Sequence, residues 1–450
     1  MQQNSLESVR SSRRAFLMAA GAGAALAMAG SAMAKPANGP AASPAPSPAN
    51  RKGLKILILG GTGFLGPAVV DAAKASGHKL TLFNRGRTEK RIGVIEDVEK
   101  FNGNRDPKLR ADDNDPESPL GLSEIEAAIK GGAKWDAVVD TSGYVPRIVK
   151  ASAELLAPAA QQYVFVSTIS VYANNDRPNE DETAAIATTD TPESEEVQQL
   201  YGQLKALCEQ AAEAAMPGKT TNIRPGFIVG PGDPTDRFTY WPVRAAKGAG
   251  VSQVSEWGSE MLVPGTEEEP IQFVDVRDLA KFIIHCIEQR HVGAYNVTGP
   301  QGGLPVGDFV KACREAGGKD APTPVWVPWD FIQEVEGPVD TTIVIPGSGE
   351  TGGFHRRNVQ KALAAGLTLR PAVETCKDTI AWWPKEVARR DRVGKQLVED
   401  AKKAGRPAPN LGEPNRLRVG LTPAREKEVL AAFRTKTSKA PEAPVKSPGG

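Results

Sequence analysis

Tyr201 and Lys205 stand four residues apart in YGQLKALCEQAAEAA, 33 positions after Thr168 in QYVFVSTISVYA. Tyr201, Leu204, Lys205 and Cys208 fall at i, i+3, i+4 and i+7, which predicts a helix carrying phenol and ammonium on one face. A phenol with a pKa of about 10 is a poor base at neutral pH. A nearby ammonium favours the phenolate and lowers that pKa. The tyrosine can then take a proton from a carbinol or return one to a carbonyl. Thr168 ends an apolar run, Tyr163 to Val166, and is expected to hydrogen-bond the same oxygen. Catalytic roles are therefore expected for Thr168, Tyr201 and Lys205. Such chemistry needs a hydride carrier, which no side chain supplies.

The place for a carrier lies upstream, in LKILILGGTGFLG. Leu54 to Leu59 is continuously apolar, as in a strand buried on both faces of a parallel sheet. Gly60, Gly63 and Gly66 follow with the spacing GxxGxxG, enclosing Thr62, Phe64 and Leu65. The first glycine permits a tight turn, the second lets backbone approach a pyrophosphate, and the third lets a helix pack closely. That helix, expected over 64–76, points its N-terminus at the phosphates. The second strand, Leu80 to Phe83, ends in Asn84, Arg85, Gly86 and Arg87. Asp or Glu there would meet a free ribose 2′-hydroxyl. Here Asn84 stands in place of the acid, and Arg85 suits a 2′-phosphate instead, because a guanidinium fork matches phosphate oxygens. NADP is the expected cofactor, with NAD the alternative. WDAVVDTSGY (135–144) reads as a further buried strand whose end lies beside the cofactor. The order of elements predicts an α/β fold, a Rossmann-type doubly wound parallel sheet.

Taken in order, GGTGFLG, STISVY and YGQLK resemble the extended short-chain dehydrogenase/reductase superfamily, in its NAD-dependent epimerase/dehydratase branch. RPGFIVGPGD (224–233), QFVDVRDLAKFI (272–283), GAYNVTGP (293–300) and AAGLTLRP (364–371) extend the likeness over roughly residues 53–385. The resemblance implies that Gly60, Gly63 and Gly66 line the pyrophosphate, that Tyr201 and Lys205 also contact the cofactor, and that Pro225 to Val229 pass near the nicotinamide. It implies a smaller C-terminal substrate lobe, mainly 226–270 and 293–385, and a homodimer formed through a bundle that includes the YGQLK helix. Two positions depart from the pattern: Asn84-Arg85 replaces the usual Asp, and Gly103-Asn104 replaces a Gly-Asp pair near the adenine. NRGRT and NVTGP lean towards a subgroup with plant relatives associated with RNA. Lys+Arg 55 against Asp+Glu 54 gives no global electrostatic reason to bind nucleic acid, so neither DNA nor RNA is the expected partner.

In DPTDRFTYWPVRAAKGAG, Arg237 and Arg244 are expected to hold an anionic substrate and Tyr240 to stack on a sugar or base. The competing reading is a surface helix with core aromatics. Residues 386–435 read as a helical extension with mixed-sign charge, solvated and packed on the outside, and 436–450 as a disordered tail. Cys208, Cys286, Cys313 and Cys376 and the four histidines show neither CxxC nor HxxxH, so no metal site is expected.

Residues 1–34 read as a twin-arginine signal: Ser12-Arg13-Arg14-Ala15-Phe16-Leu17, an apolar run to Gly30, and small residues at Ala32 and Ala34 with cleavage after Ala34. Residues 35–52 form a Pro/Ala-rich linker. The protein is expected in the periplasm, or membrane-anchored if the signal stays. A twin-arginine substrate crosses already folded, so its cofactor can be loaded before export. With no ready NADPH supply outside, a closed redox cycle fits best. The expected function is an NAD(P)-dependent epimerase/dehydratase-like oxidoreductase acting on a sugar or nucleotide-sugar carbinol. The alternatives are an NADPH-dependent carbonyl reductase and a non-catalytic RNA- or macromolecule-binding protein on the same fold.

Overall fold

The first strand, β1 (Lys55–Leu59), sorts its side chains by alternation: Ile56 and Ile58 enter one hydrophobic cluster, Leu57 and Leu59 the other. A strand apolar on both faces must lie at the centre of a covered sheet. In the computed structural model, which describes residues 51–87, 89, 95–246, 256–336 and 342–438, β1 occupies that position. The twin-arginine stretch, the linker up to residue 50 and the tail from residue 439 lie outside the described residues.

The strands that follow are β2 (Lys79–Asn84), β3 (Glu99–Asn102), β4 (Ala137–Asp140), β5 (Tyr163–Val166), β6 (Thr220–Pro225), β7 (Phe227–Val229), β8 (Glu260–Pro264), β9 (Pro270–Ile271), β10 (Phe273–Asp275), β11 (Gly293–Val297), β12 (Leu304–Pro305) and β13 (Thr323–Val327). Seven form one parallel sheet in the order β11-β6-β5-β4-β1-β2-β3. The chain runs outward from β1 to β3, then returns to place β4 on the other side of β1. That reversal opens a crevice at the carboxyl ends of β1 and β4.

The helices are α1 (Leu65–Ala75), α2 (Ser123–Lys130), α3 (Pro146–Leu156), α4 (Tyr201–Ala215), α5 (Tyr240–Ala245), α6 (Val276–Gln289), α7 (Val306–Gly317), α8 (Trp329–Glu336), α9 (Gln360–Ala364), α10 (Ala372–Lys403) and α11 (Pro423–Ser438). Helices α1 and α6 cover one face through residues such as Val69, Val70, Phe282 and Ile283. Helices α2, α3 and α4 cover the other with Ile125, Val149, Leu156 and Cys208. The fold is the doubly wound α/β arrangement expected. Boundaries agree closely: α1 is one residue shorter at each end than its sequence pattern, and β5 coincides with its apolar run.

A second body of structure, with the parallel pair β8–β13 and helices α5, α7, α8, α10 and α11, surrounds a separate aromatic core. Here the sequence reading needs correction. The extension expected as solvated outer helices is built into this lobe. Helix α10 is one continuous segment of 32 residues crossing the expected boundary at 386. Helix α11 lays Val429 and Leu430 on Leu262, Val327, Phe331 and Ile332. Glu426 of α11 is buried and accepts from Arg244 at 2.7 Å and from the Leu262 amide at 3.0 Å. The mixed-sign charges pair across elements, which a linear reading cannot see. No described helix is long and apolar enough to cross a membrane.

Arg244→Met strands the Glu426 carboxylate in the core and should cost about 3–5 kcal/mol in urea unfolding. Adding Glu426→Met should restore most of that loss. An unchanged single variant would show the pair to be superfluous.

Candidate functional site

The crevice at the switch point is a cavity of about 610 Å³. Its lining includes every residue expected to meet the cofactor: Gly60, Thr62, Gly63, Phe64, Leu65, Gly66, Asn84, Arg85, Asn104, Tyr201 and Lys205. Thr168 lines it as well.

The glycine loop has the shape of a phosphate cradle. Gly60 sits at φ +93°, and a Cβ there would meet Thr141 Oγ1 at 2.7 Å. A Cβ at Gly66 would overlap the Gly61 backbone, so only glycine lets α1 start this close to the strand. At Gly63 nothing lies within 4 Å of such an atom. Helix α1 begins here with no side-chain cap and no acid in its first turn, so its amides and dipole face the cavity uncompensated. These features fit a dinucleotide pyrophosphate.

At the second strand, the Thr62 hydroxyl donates to Asn84 Oδ1 at 3.3 Å, fixing Asn84 beside the loop. Arg87 is occupied by the Ala111 carbonyl (3.2 Å) and Asp113 (3.1 Å). Arg85 is exposed on the lining. Asn104 is buried and shapes its own loop, donating to the Arg110 carbonyl at 2.9 Å.

Sequence reasoning missed the group beneath this wall. Arg105 clamps Asp140 through two hydrogen bonds of 2.5 and 2.8 Å and donates to Ser142 Oγ at 3.0 Å. Tyr163 gives Asp140 a further hydrogen bond at 2.8 Å. Burial works against the Asp140 charge, yet the Arg105 guanidinium holds its pKa below the usual carboxylate range. A lone acid ending the apolar run AVVD was the available signal, since such a charge needs a buried partner.

Tyr201 opens α4, and Thr168 caps the short turn Ile169–Val171, its Oγ1 accepting from the Ser170 amide at 3.1 Å. Burial pushes the Tyr201 phenol above its ordinary range, and nearby Tyr144 adds to this. A hydrogen bond with Thr168 and the charge of Arg237 act in the opposite sense without cancelling it. Lys205 does not play the part expected of it here. It extends beneath the cleft, 4.1 Å from the Phe165 ring centroid, and donates to the Gly143 and Val166 carbonyls at 2.7 Å each. Sharing a helix face brought the two side chains to one cavity, but two carbonyl oxygens drew the ammonium towards the loop after β4 and the end of β5. Burial pushes Lys205 down to about 8.

The expected substrate residues divide. Tyr240 and Arg244 do not reach the cleft. Tyr240 packs edge-on against Trp241 in the lobe core, and Arg244 is fully buried with Glu426 and 4.3 Å from the Trp257 ring centroid. Helix α5 is a core helix, and both residues are buried in the lobe away from the cleft lining. Arg237 lies beyond the cleft lining, 5.8 Å from the Phe227 ring centroid, with its charge reaching Tyr201.

Lys205 makes a pH-dependent contribution to stability. An unfolded chain keeps this proton up to about pH 10.5, whereas the folded chain releases it near 8. Between those values the unfolded state binds more protons, so stability rises with pH. The unfolding free energy of the native chain, relative to Lys205→Met, should increase by about 3 kcal/mol from pH 7 to pH 10.5. A flat difference would mean an unshifted lysine.

Comparison with known proteins accords with this geometry. The NAD dependent epimerase/dehydratase family profile matches residues 56–298, more than half of the chain. The 2-alkyl-3-oxoalkanoate reductase of Stenotrophomonas maltophilia (strain K279a) is 29% identical over 189 residues, 40% of this chain and 52% of that protein, so the chain spans about half the length of this relative. Epimerase family protein SDR39U1 of Bos taurus is 24% identical over 311 residues, 65% of this chain and 90% of that protein. Among solved structures, the UDP-Glc/GlcNAc 4-epimerase of Campylobacter jejuni superposes with a TM-score of 0.50 at 16% identity, covering 73% of this chain and 99% of that one. A profile that runs from β1 to just past β11, over a crevice of this design, places the chain in the NAD dependent epimerase/dehydratase family.

Proposed function

We propose that the protein is an NADP-dependent oxidoreductase that holds its cofactor tightly and epimerises a sugar or nucleotide-sugar carbinol. The observation that carries this reading is the convergence of Thr168, Tyr201 and Lys205 on the same cavity as the glycine loop. When bound, the nicotinamide supplies hydride transfer. Tyr201 takes the carbinol proton and later returns it, and Thr168 steadies the charge on that oxygen. Lys205 uses two of its three N–H bonds on carbonyls, leaving the third for a hydroxyl in the cleft. Burial raises the Tyr201 phenol, while its hydrogen bond with Thr168 and the charge of Arg237 favour the phenolate.

Arg85 supports NADP, because its exposed guanidinium meets the end of β2 where a 2′-phosphate would lie. Export by the twin-arginine route, read from SRRAFL and the small residues before Lys35, suits a cofactor loaded before crossing and regenerated within each turnover.

Denaturing the purified mature protein should release one equivalent of NADP, identified by mass and absorbance. Protein without nucleotide that also binds none when titrated would overturn the reading, and NAD in its place would overturn the role of Arg85. Tyr201→Phe should retain the nucleotide and lose about 10²–10⁴-fold in turnover. Full activity in that variant would remove Tyr201 from the chemistry.

A further inference from the structure

The loop from Gly230 to Thr239 adjoins the cleft through residues of its lining and their neighbours, without lining the cavity itself. Gly232 approaches Phe64 of the glycine loop so closely that a Cβ would stand 3.3 Å from its ring. Arg237 lies by Phe227, whose neighbours Pro225, Gly226 and Ile228 line the cavity. Between these contacts is Asp236, wholly buried and left-handed at φ +63°. Aspartate tolerates this conformation better than most residues, but it still needs support.

That support comes from the C-terminal extension. Arg390 of α10 donates to both Asp236 oxygens at 2.6 and 3.1 Å. The Arg418 amide donates to Asp236 at 3.0 Å, and the Arg418 guanidinium donates to the Pro234 carbonyl at 2.6 Å. Arg390 is itself held by Glu386 at 2.8 Å and stands 4.7 Å from the Trp383 ring centroid. Every one of these supporting residues lies beyond the family profile, which ends at residue 298.

We propose that the C-terminal extension is a working part of the substrate side of the cleft: Arg390 and Arg418 clamp Asp236 and thereby position Arg237 to meet an anionic group of the substrate. Asp236, Arg390 and Arg418 are positioning residues, and Arg237 is the residue that contacts ligand. The charge of Arg237 also favours the Tyr201 phenolate, so the same clamp sets one of the influences on the catalytic phenol. The inference rests on the proposed oxidoreductase reading only in taking this cavity as the substrate site.

The test uses the full mature chain saturated with NADPH and inorganic pyrophosphate as the anionic probe, titrated by calorimetry. Asp236→Gly removes the carboxylate, suits the left-handed backbone and leaves Arg390 its Glu386 partner, so the fold should survive. It should bind pyrophosphate at least tenfold more weakly than the native chain, with NADPH affinity unchanged and faster deuterium uptake across 230–239. Asp236→Asn, which can still accept from the Arg418 amide, should recover part of the affinity, and Arg237→Gln should lose pyrophosphate binding. Equal pyrophosphate affinity in Asp236→Gly and the native chain would overturn the clamp. Undiminished affinity in Arg237→Gln, or none in the native chain, would overturn the anion contact. Failure to bind NADPH at all would count against the oxidoreductase reading, and is read separately from the pyrophosphate titration.

Discussion

The carboxylate of Asp140 joins the two walls of the cleft. It ends β4 in full burial, and its partners come from both sides of the topological reversal: Arg105 from beyond β3, Tyr163 from β5, and the amide of Ser142 from its own loop. A buried charge of this kind is tolerable only when its lone pairs are filled, and here four hydrogen bonds fill them. The consequence is geometric. The loop from Thr141 to Tyr144 is pinned over Gly60, where Thr141 donates to the Leu59 and Gly60 carbonyls. The glycine loop, the cavity wall at Asn104 and Arg105, and the Lys205 acceptor at Gly143 all inherit their positions from that knot.

Burial then sets the electrostatics around the phenol. It drives Tyr201 and Lys205 towards their neutral forms, the phenol upward and the ammonium down. The spacing of the pair along α4 suggests direct help from lysine to tyrosine, yet the ammonium is spent on backbone carbonyls. Its contribution to the site is to brace the loops and to offer one remaining donor. Charge that favours the phenolate reaches Tyr201 from Arg237, across the lobe boundary.

The lobe is held together by ion pairs threaded through an aromatic core. Arg244 with Glu426 and Asp236 with Arg390 each join a residue of the 230–246 segment to the last third of the chain. A charge-rich C-terminal sequence that reads as solvated surface is thereby drawn into the interior. Its apolar residues are sparse, so this segment docks through matched charges and a few contacts such as Val429 and Leu430.

The order of apolar runs, glycines and the Tyr–Lys spacing was enough, by itself, to determine a doubly wound sheet, the place of its glycine loop and the shared helix face of Tyr201 and Lys205. Those features are local: a continuous apolar run in β1, a tight turn at Gly60 and i, i+4 proximity on α4 depend on neighbours within a few residues. Partners far apart in the chain were decided only by tertiary structure. Arg105 and Asp140 are 35 residues apart, and Arg244 and Glu426 are 182 apart. Nothing in the linear pattern distinguishes Arg237, near the cleft, from Arg244, seven positions later and buried. Which arginine lies half-buried near the cleft and which is buried on a carboxylate depends on charge pairing between segments brought together only when the lobe closes on itself.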